Sequence, residues 1–142
     1  MGQHEGVHIQ TDLTGITPDM LSGFFEFWPS PPSTDTFLRL LQGSSHVALA
    51  VEEGQVVGFV NALSDGVLSA YIPLLEVRRE WRGRGIASQL IQSLVAQLDG
   101  LYMIDTACDD DLVPFYQRFG MGRGNAMILR NYERQNGSAP QP

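Results

Sequence analysis

Lysine is absent from the chain, because all nine basic residues are arginines, and these stand against 16 acidic residues. Its absence excludes mechanisms that need a lysine in this chain, such as a Schiff base to a carbonyl or a P-loop phosphate site. The net charge of −7 argues against a general binder of nucleic acid or of anionic membranes, since surface cations supply most of that affinity. The three histidines show no metal-ligand spacing, so no metal is predicted.

The chain also has few cysteines and few long apolar runs. Its one cysteine, Cys108, cannot form an internal disulfide, so we expect a reducing compartment, the cytoplasm. No run reaches the roughly 18 apolar residues of a membrane span. Residues 1–10 lack the apolar core of a signal peptide. With no partner base indicated, Cys108 is expected to be a buried structural thiol.

The 142 residues, 43% of them hydrophobic, fit one domain with a core of its own. We predict a single domain over residues 1–134 and a disordered polar tail over residues 135–142. Period-2 patterns predict strands at 7–13, 46–51, 55–62, 68–77, 101–107 and 126–132. Helical spacing predicts helices at 17–28, 34–41, 85–98 and 112–119.

The predicted fold class is α/β (α+β), with one mixed sheet of six or seven strands. The strand at 68–77 is apolar on both sides, which is typical of a central strand covered on both faces. A helix joins it to the strand at 101–107, and such crossovers make two strands parallel. Pro73 lies in the middle of the central strand, where it removes a ladder hydrogen bond. The strand should therefore bulge or part from a neighbour there.

Positive charge is concentrated immediately after this strand. Residues 78–84 hold four arginines and one glutamate, a net of +3, so the rest of the chain carries −7 − 3 = −10. The turn that follows contains Gly83 and Gly85 and opens the helix. Free N–H groups at a helix start, the helix dipole and nearby arginines together favour a phosphate or pyrophosphate ligand.

One alternative for this turn is a dinucleotide-binding fold, because Gly83, Gly85 and Ser88 approach its fingerprint and Asp105 follows at a suitable distance. Three features argue against it. Ser88 stands where glycine or alanine is expected. The turn comes late in the chain, and an antiparallel hairpin precedes it.

Two motifs together resemble a known family. Residues 75–87, with Arg82, Gly85 and Ala87, are similar to the acetyl-CoA motif Arg/Gln-x-x-Gly-x-Gly/Ala of the GNAT N-acetyltransferases. About thirty residues later, residues 113–121 resemble the family's "FY-x-x-x-GF" helix and its exit. The resemblance covers about residues 47–132. Residues before this region correspond to the family's variable substrate side and show no subfamily signature.

The resemblance implies two parallel central strands that splay into a V, with helices on both faces of the sheet. The pantetheine arm of acetyl-CoA would lie in the V and pair with the main chain of Leu75 and Val77. The cofactor's pyrophosphate would be held by backbone amides in the turn, namely those of Arg82, Gly83, Arg84, Gly85, Ile86 and Ala87.

The resemblance also implies catalytic roles. The N–H of Val77 would stabilise the oxyanion, and Tyr116 matches the family's general acid near the sulfur. Family positions for a glutamate base fall on Tyr71 and Ile104, neither of which is acidic, so no base is assigned. Residues 109–111, all aspartate, are interpreted either as a helix N-cap or as an acidic lip that attracts an ammonium group.

The leading hypothesis is therefore an acetyl-CoA-dependent N-acetyltransferase that acts on a primary amine of a small molecule or peptide by direct attack. A non-catalytic acyl-CoA-binding or regulatory module is the main alternative. An interaction domain with a basic loop is a third. Nucleic acid and membrane are not predicted partners, and small members of the family often pair, so a homodimer is a candidate assembly.

Overall fold

The protein is described by a computed structural model over residues 6–138. The strands are β1 (His8–Gln10), β2 (His46–Glu52), β3 (Gln55–Ser64), β4 (Ser69–Ile72), β5 (Leu75–Val77) and β6 (Met103–Thr106). The α-helices are α1 (Thr34–Gln42), α2 (Ile86–Gln97) and α3 (Val113–Gln117). Short 3-10 turns span Pro18–Leu21, Arg79–Trp81, Asp110–Leu112 and Tyr132–Arg134. The mixed α/β class and the six-stranded sheet confirm the predicted fold class.

Strand order in the sheet is β1, β2, β3, β4 and β6, and β5 also pairs with β3. All pairs are antiparallel except β4 with β6, which is parallel as the crossover through α2 predicts. The predicted strand at 68–77 is thus two short strands, β4 and β5, on either side of Pro73. The candidate active site lies at this division.

Helices cover both faces of the sheet, as predicted. Alternate residues of β2 divide between two cores, with Ala48 and Ala50 facing α2 and Leu49 facing the α1 side. The approach of α2 to β3 is close, because a Cβ at Gly58 would lie 3.1 Å from Leu90 Cδ1 and 3.2 Å from Ile86 Cγ2. Glycine at this position therefore lets the start of α2 lie against the sheet beside β5.

The two longer helices form where the sequence predicts them. The Ser33 hydroxyl accepts a hydrogen bond from Thr36 N–H at 3.1 Å and caps α1, and Gly43 ends that helix. The apolar stripe of α2 is buried in the core, including Ile86, Leu90 and Leu94. Periodicity succeeds here because each helix has one apolar face and packs on one sheet face.

The helix predicted at 17–28 is wrong. Only Pro18–Leu21 forms a 3-10 turn, and the following residues make an irregular loop. Gly23 has φ 92° and Phe25 has φ 60°, values that no right-handed helix contains. The apolar spacing in the sequence is real, but Phe24 and Phe25 pack edge-to-face against Phe37 and Phe59 from this loop rather than from a helix.

The strand predicted at 126–132 is also wrong, because residues 121–131 carry no regular structure and 122–132 are exposed. The strand predicted at 101–107 forms as β6 but alternates between exposed and half-buried positions, whereas burial on both sides was expected. Residues 135–138 of the predicted tail lie in the described range, and Gln135 Oε1 accepts a hydrogen bond from Ser30 N–H at 3.0 Å. The rest of the tail, 139–142, and the start of the chain, 1–5, lie outside the described residues.

Across residues 6–138, none of the helices combines the length and the apolar character that crossing a membrane would require.

Candidate active site

A gap opens in the middle of the sheet where two parallel strands part. β4 and β6 pair as far as Ile72 and Thr106, where the Thr106 hydroxyl donates to the Ile72 carbonyl at 2.7 Å. Pro73 comes next and has no N–H to continue the ladder. Beyond it, β5 pairs with β3 and not with β6. The predicted V between the central strands is therefore present, with Pro73 at its apex.

Asn61 forms hydrogen bonds with the backbone next to the apex of the V. It is a buried polar residue on β3, opposite the break. Its N–H donates to the Leu74 carbonyl, and its side-chain oxygen accepts from Leu74 N–H, both at 3.2 Å. Its amide nitrogen donates to the Ser44 hydroxyl at 3.0 Å. Asn61 thus satisfies both main-chain groups of Leu74, the carbonyl through its own N–H and the N–H through its side chain, as buried polar groups require.

The register of β5 on β3 turns the main chain of Leu75 and Val77 toward the gap. In an antiparallel pair, residues alternate between hydrogen-bonded and non-hydrogen-bonded positions. Arg78 N–H donates to the Val57 carbonyl at 2.8 Å, and Leu74 is bonded to Asn61, so the even-numbered residues face β3. The odd-numbered residues, Leu75 and Val77, therefore direct their peptide groups away from β3. Arg82 Nε already donates to the Val77 carbonyl at 2.8 Å.

A cavity of about 210 Å³ occupies the gap. One wall comes from the end of β4 and from β5, and the other comes from the residues that follow β6. Phe25 and Trp28, from the irregular loop, and Tyr116, from α3, complete its lining. Glu76 and Asp109 are the acidic residues of the lining, and no basic residue of the described chain lines it.

The glycine turn leads from β5 to α2 and leaves a row of amides unused. Gly83 and Gly85 have φ 78° and 80°, left-handed values that favour glycine, and Gly85 is the N-cap of α2. The N–H of Arg82 donates to the Arg79 carbonyl at 3.2 Å, and the first helical bond runs from Gln89 N–H to the Gly85 carbonyl. The N–H groups of residues 83–88, between Arg82 and Gln89, donate to no acceptor within residues 6–138. Such a row at a helix start is suited to an anion.

The four clustered arginines bind their own protein. Arg79 Nη2 lies 2.6 Å from Glu26 Oε1, and Arg78 packs against Gly23 in the same loop. Arg82 holds the end of β5, as described above. Arg84 lies over the ring of Trp81, 4.5 Å from its centroid. The cluster therefore ties the irregular loop and β5 to the turn, a role that the charge pattern did not predict.

Tyr116 projects from α3 into the gap and is buried at 7% exposure. Burial raises the pKa of its phenol above the usual 10.0, and nearby Cys108 adds to the effect. The phenol therefore keeps its proton throughout the neutral range. Cys108 is exposed, so the prediction of a buried thiol is wrong. It lies in the loop after β6 and lines the cavity.

The role of Glu76, a half-buried carboxylate on β5, is not predicted from the sequence. Its two oxygens accept from Phe25 N–H at 3.1 and 3.0 Å, across 51 residues of sequence. This contact holds the positive φ of Phe25 and thus the wall of the cavity. Burial raises the pKa of the Glu76 carboxyl, opposed by the Phe25 N–H and by Arg82. Only its position next to Val77 in the motif could have indicated it.

We expect Glu76→Gln to change how stability depends on pH. Because burial raises the pKa of Glu76 above 4.5, the native state keeps this proton to higher pH than the unfolded chain does. The contribution of Glu76 to the free energy of unfolding should therefore be largest below that value and fall as pH rises toward neutrality. The replacing amide cannot titrate, so the wild-type-minus-variant difference should fall over the same interval. Urea unfolding at a series of pH values measures this difference.

Glu53→Gln, at an exposed position in the β2–β3 turn, is the matched control for that series. A fall that appears for Glu76→Gln and not for Glu53→Gln assigns the pH dependence to position 76. Wild-type and Glu76→Gln curves that run parallel from pH 4.5 to neutrality would show that burial does not perturb this carboxyl.

Two remaining expectations concern acids near the gap. The positions expected for a base hold Tyr71, which is 37% exposed, and Ile104, which packs on the core, so neither supplies a carboxylate. The Asp109 side chain makes no capping bond to the turn that it precedes, so N-capping does not explain the triplet. Asp110 Oδ1 instead lies 3.2 Å from Arg123 Nη2.

Comparison with known proteins agrees with this geometry. The acetyltransferase (GNAT) family model matches residues 13–121. A crystal structure from Deinococcus radiodurans R1, assigned to the acetyltransferases, is 50% identical with a TM-score of 0.94, covering 99% of this chain and 100% of that one.

More distant structures share the fold. A GNAT-family protein from Xanthomonas campestris pv. campestris has 22% identity and a TM-score of 0.75, over 91% of this chain and 96% of that one. A GNAT-family protein from Streptococcus pneumoniae TIGR4 has 20% identity and a TM-score of 0.69, over 88% and 98%. A search of curated proteins finds no match. From its family match and its split central strand, this chain belongs to the GNAT family of acetyltransferases.

Proposed function

We propose that the protein is an acetyl-CoA-dependent N-acetyltransferase that transfers an acetyl group to a primary amine of a small molecule or peptide by direct attack. The observation that carries the proposal is the continuity of the gap with the turn. Main-chain groups of Leu75 and Val77 face the gap, and the free amides from Gly83 onward begin a few residues later. A thioester on a pantetheine arm with a pyrophosphate at its far end matches both parts.

The turn binds through its amides from Gly83 to Ala87 and through the dipole of α2. Arg82 contributes indirectly, because its own N–H and its Nε are bonded to Arg79 and Val77. Arg84 lies against Trp81 and is exposed enough to reach a phosphate oxygen. We therefore divide the motif into ligand-binding amides and arginines that fix the turn.

The proposed reaction uses three groups, namely the amine of the acceptor, the N–H of Val77 and the hydroxyl of Tyr116. The amine nitrogen forms a bond to the thioester carbon, and the C–S bond breaks. Val77 N–H, aimed into the gap, stabilises the negative charge that develops on the carbonyl oxygen. A preorganised donor of this kind contributes about 3–4 kcal/mol. Tyr116 then gives its proton to the departing sulfur, and its raised pKa keeps that proton available at neutral pH. The attacking nitrogen loses one proton to solvent, and the Tyr116 phenolate takes one proton back from solvent, which restores the hydroxyl.

The cavity lining selects the acceptor by charge. Glu76 and Asp109 attract a cation, and the rings of Phe25 and Trp28 provide apolar walls that also favour ammonium groups. An acceptor with a phosphate beside its amine would meet these carboxylates without a compensating arginine. We therefore expect cationic amines with an apolar body to be better acceptors than phosphorylated ones.

Calorimetric titration with CoA and acetyl-CoA, followed by acetylation assays across an amine panel, tests the proposal. We expect binding of both cofactors, and alkylation of the exposed Cys108 should slow when CoA fills the gap. Failure to bind CoA at near-millimolar concentration would reject every acyl-CoA function. Binding without turnover on any amine would instead establish the non-catalytic acyl-CoA module. That alternative is supported by Tyr71 and Ile104, which stand where a glutamate base is expected.

A further inference from the structure

A second cavity adjoins the gap on the α1 side of the sheet. Its volume is about 390 Å³, and it is here called the α1 cavity. Phe25, Trp28 and Leu74 line both the gap and the α1 cavity. Leu74 and Trp28 also pack on the hydrophobic cluster that includes the buried side chains of α1. Because Leu74 directly precedes Leu75, whose main chain faces the gap, the α1 cavity begins beside the place proposed for the acetyl thioester.

The gap and the α1 cavity have linings of opposite charge. Glu76 and Asp109 line the gap without a basic residue of the described chain. In the α1 cavity the lining contributed by residues 6–138 has one ionisable side chain, and it is a base, Arg39. The Arg39 guanidinium forms no ion pair within the described chain, although Asp35 lies one turn before it on α1. This cation is therefore available to an anionic group of a ligand.

Two uncharged side chains of the α1 cavity can also donate hydrogen bonds. Gln135 Oε1 accepts from Ser30 N–H, which fixes the orientation of the side-chain amide, and its Nε2 group has no acceptor in the part of the chain that the structure describes. The Thr36 hydroxyl accepts from the Ser33 hydroxyl at 3.1 Å, so its own hydrogen can be donated elsewhere. A guanidinium together with neutral donors suits a carboxylate, which only accepts hydrogen bonds.

An acceptor that fits both linings carries its two charges at opposite ends. Its amine lies in the gap beside the acidic residues, and its carboxylate lies in the α1 cavity at Arg39. The rings of Phe25 and Trp28, which line both cavities, cover an apolar body between the two charged groups. In an α-amino acid the amine and the carboxylate share one carbon, whereas in a short peptide they stand at opposite ends of the molecule.

We propose that the α1 cavity holds the carboxylate of the acceptor, and that Arg39 makes the protein selective for short apolar peptides with a free amine and a free carboxylate. This inference rests on the proposed acetyl transfer and adds the class of acceptor to it. It narrows the cationic, apolar acceptors expected from the gap to those whose far end is anionic. Arg39 determines specificity and is not catalytic, because it lines the α1 cavity and not the gap.

Calorimetric titration of the protein with leucyl-leucine and with leucyl-leucinamide tests the proposal. The two ligands share the amine and the apolar body, and only the first has a carboxylate. We expect wild type to bind leucyl-leucine about 10-fold more tightly, as one charge-assisted contact provides. Arg39→Gln should bind the two ligands equally, by losing affinity for leucyl-leucine alone. Arg39 is exposed on α1, so the fold should survive, which circular dichroism checks.

Arg130→Gln is the matched control, because it removes the same charge from an exposed position outside both cavities. This variant should prefer leucyl-leucine as strongly as wild type does. Steady-state acetylation gives a second measurement. Arg39→Gln should raise KM for leucyl-leucine by about 10-fold and leave kcat unchanged, since Arg39 does not contact the reacting atoms.

Equal affinity of wild type for the two ligands, including no measurable binding of either, would overturn the proposal. A preference that survives in Arg39→Gln, or that Arg130→Gln loses to the same extent, would overturn it as well. Because calorimetry needs no turnover, failure of the proposed function is recognised separately. Wild type that prefers leucyl-leucine but acetylates neither ligand has the charge-selective cavity without the transfer activity. Acetylation of both ligands with equal KM would keep the transfer activity and reject the role of Arg39.

Discussion

Gly85→Val is expected to weaken CoA binding by about 100-fold or more while the fold survives. Gly85 has φ 80° at the N-cap of α2, where a β-branched residue is strained and its side chain would cover the neighbouring free amides. Losing two charge-assisted bonds at about 1.5 kcal/mol each gives about 3 kcal/mol, which is about 100-fold in affinity. Calorimetry with CoA measures the loss, and circular dichroism with thermal unfolding checks the fold.

Gly66→Val is the matched control for that experiment. Gly66 has φ 75° in the turn between β3 and β4, and a Cβ added there would meet only open space. The backbone strain is therefore comparable and lies outside the gap. The variant should lower stability by a similar amount and leave CoA affinity unchanged. Equal loss of affinity in both variants would mean that global strain, and not the amide row, controls binding.

Tyr116→Phe should lower kcat by about 100-fold or more and leave the CoA dissociation constant nearly unchanged. Removal of the hydroxyl takes away the proposed proton donor, and general acids contribute at least about that much. The ring stays in the core, so binding and stability are preserved. Because burial raises the pKa of this phenol above 10.0, ionisation of Tyr116 should not reduce the rate until the pH exceeds that value.

Tyr102→Phe provides the comparison, since Tyr102 is 82% exposed just before β6 and does not line the gap. Its kcat should match that of wild type. Full kcat in Tyr116→Phe with a reactive amine would remove Tyr116 from the mechanism. A lowered kcat accompanied by an equally weakened CoA complex would assign it to cofactor binding instead.

Sequence alone predicts those elements whose form depends on nearby residues. α2 follows from one uninterrupted apolar stripe that starts at a glycine turn, and α1 follows from its Ser33 cap. The split of the central strand follows from Pro73, whose missing N–H is a local property. The parallel pairing of β4 and β6 follows from the crossover rule, which needs only the order of elements.

The errors have distant causes. Helical spacing at 17–28 is overridden by a carboxylate on Glu76 that captures Phe25 N–H, and by the packing of Arg78 on Gly23. No local pattern announces either contact. The run at 126–132 has the composition of a strand, yet within residues 6–138 it pairs with no strand, although the outer side of β6 is unpaired there. Cys108 is exposed because the residues after β6 line the gap rather than the core.

Pro73 determines that the gap between β5 and the residues after β6 is open in the free protein. Proline has no backbone N–H in any conformation. The gap is therefore present before any ligand binds. Asn61 is hydrogen-bonded to both main-chain groups of Leu74, so neither group is free to pair across the gap. An acyl thioester bound as proposed would break no strand pairing in this gap, because β5 pairs with β3 and not with β6.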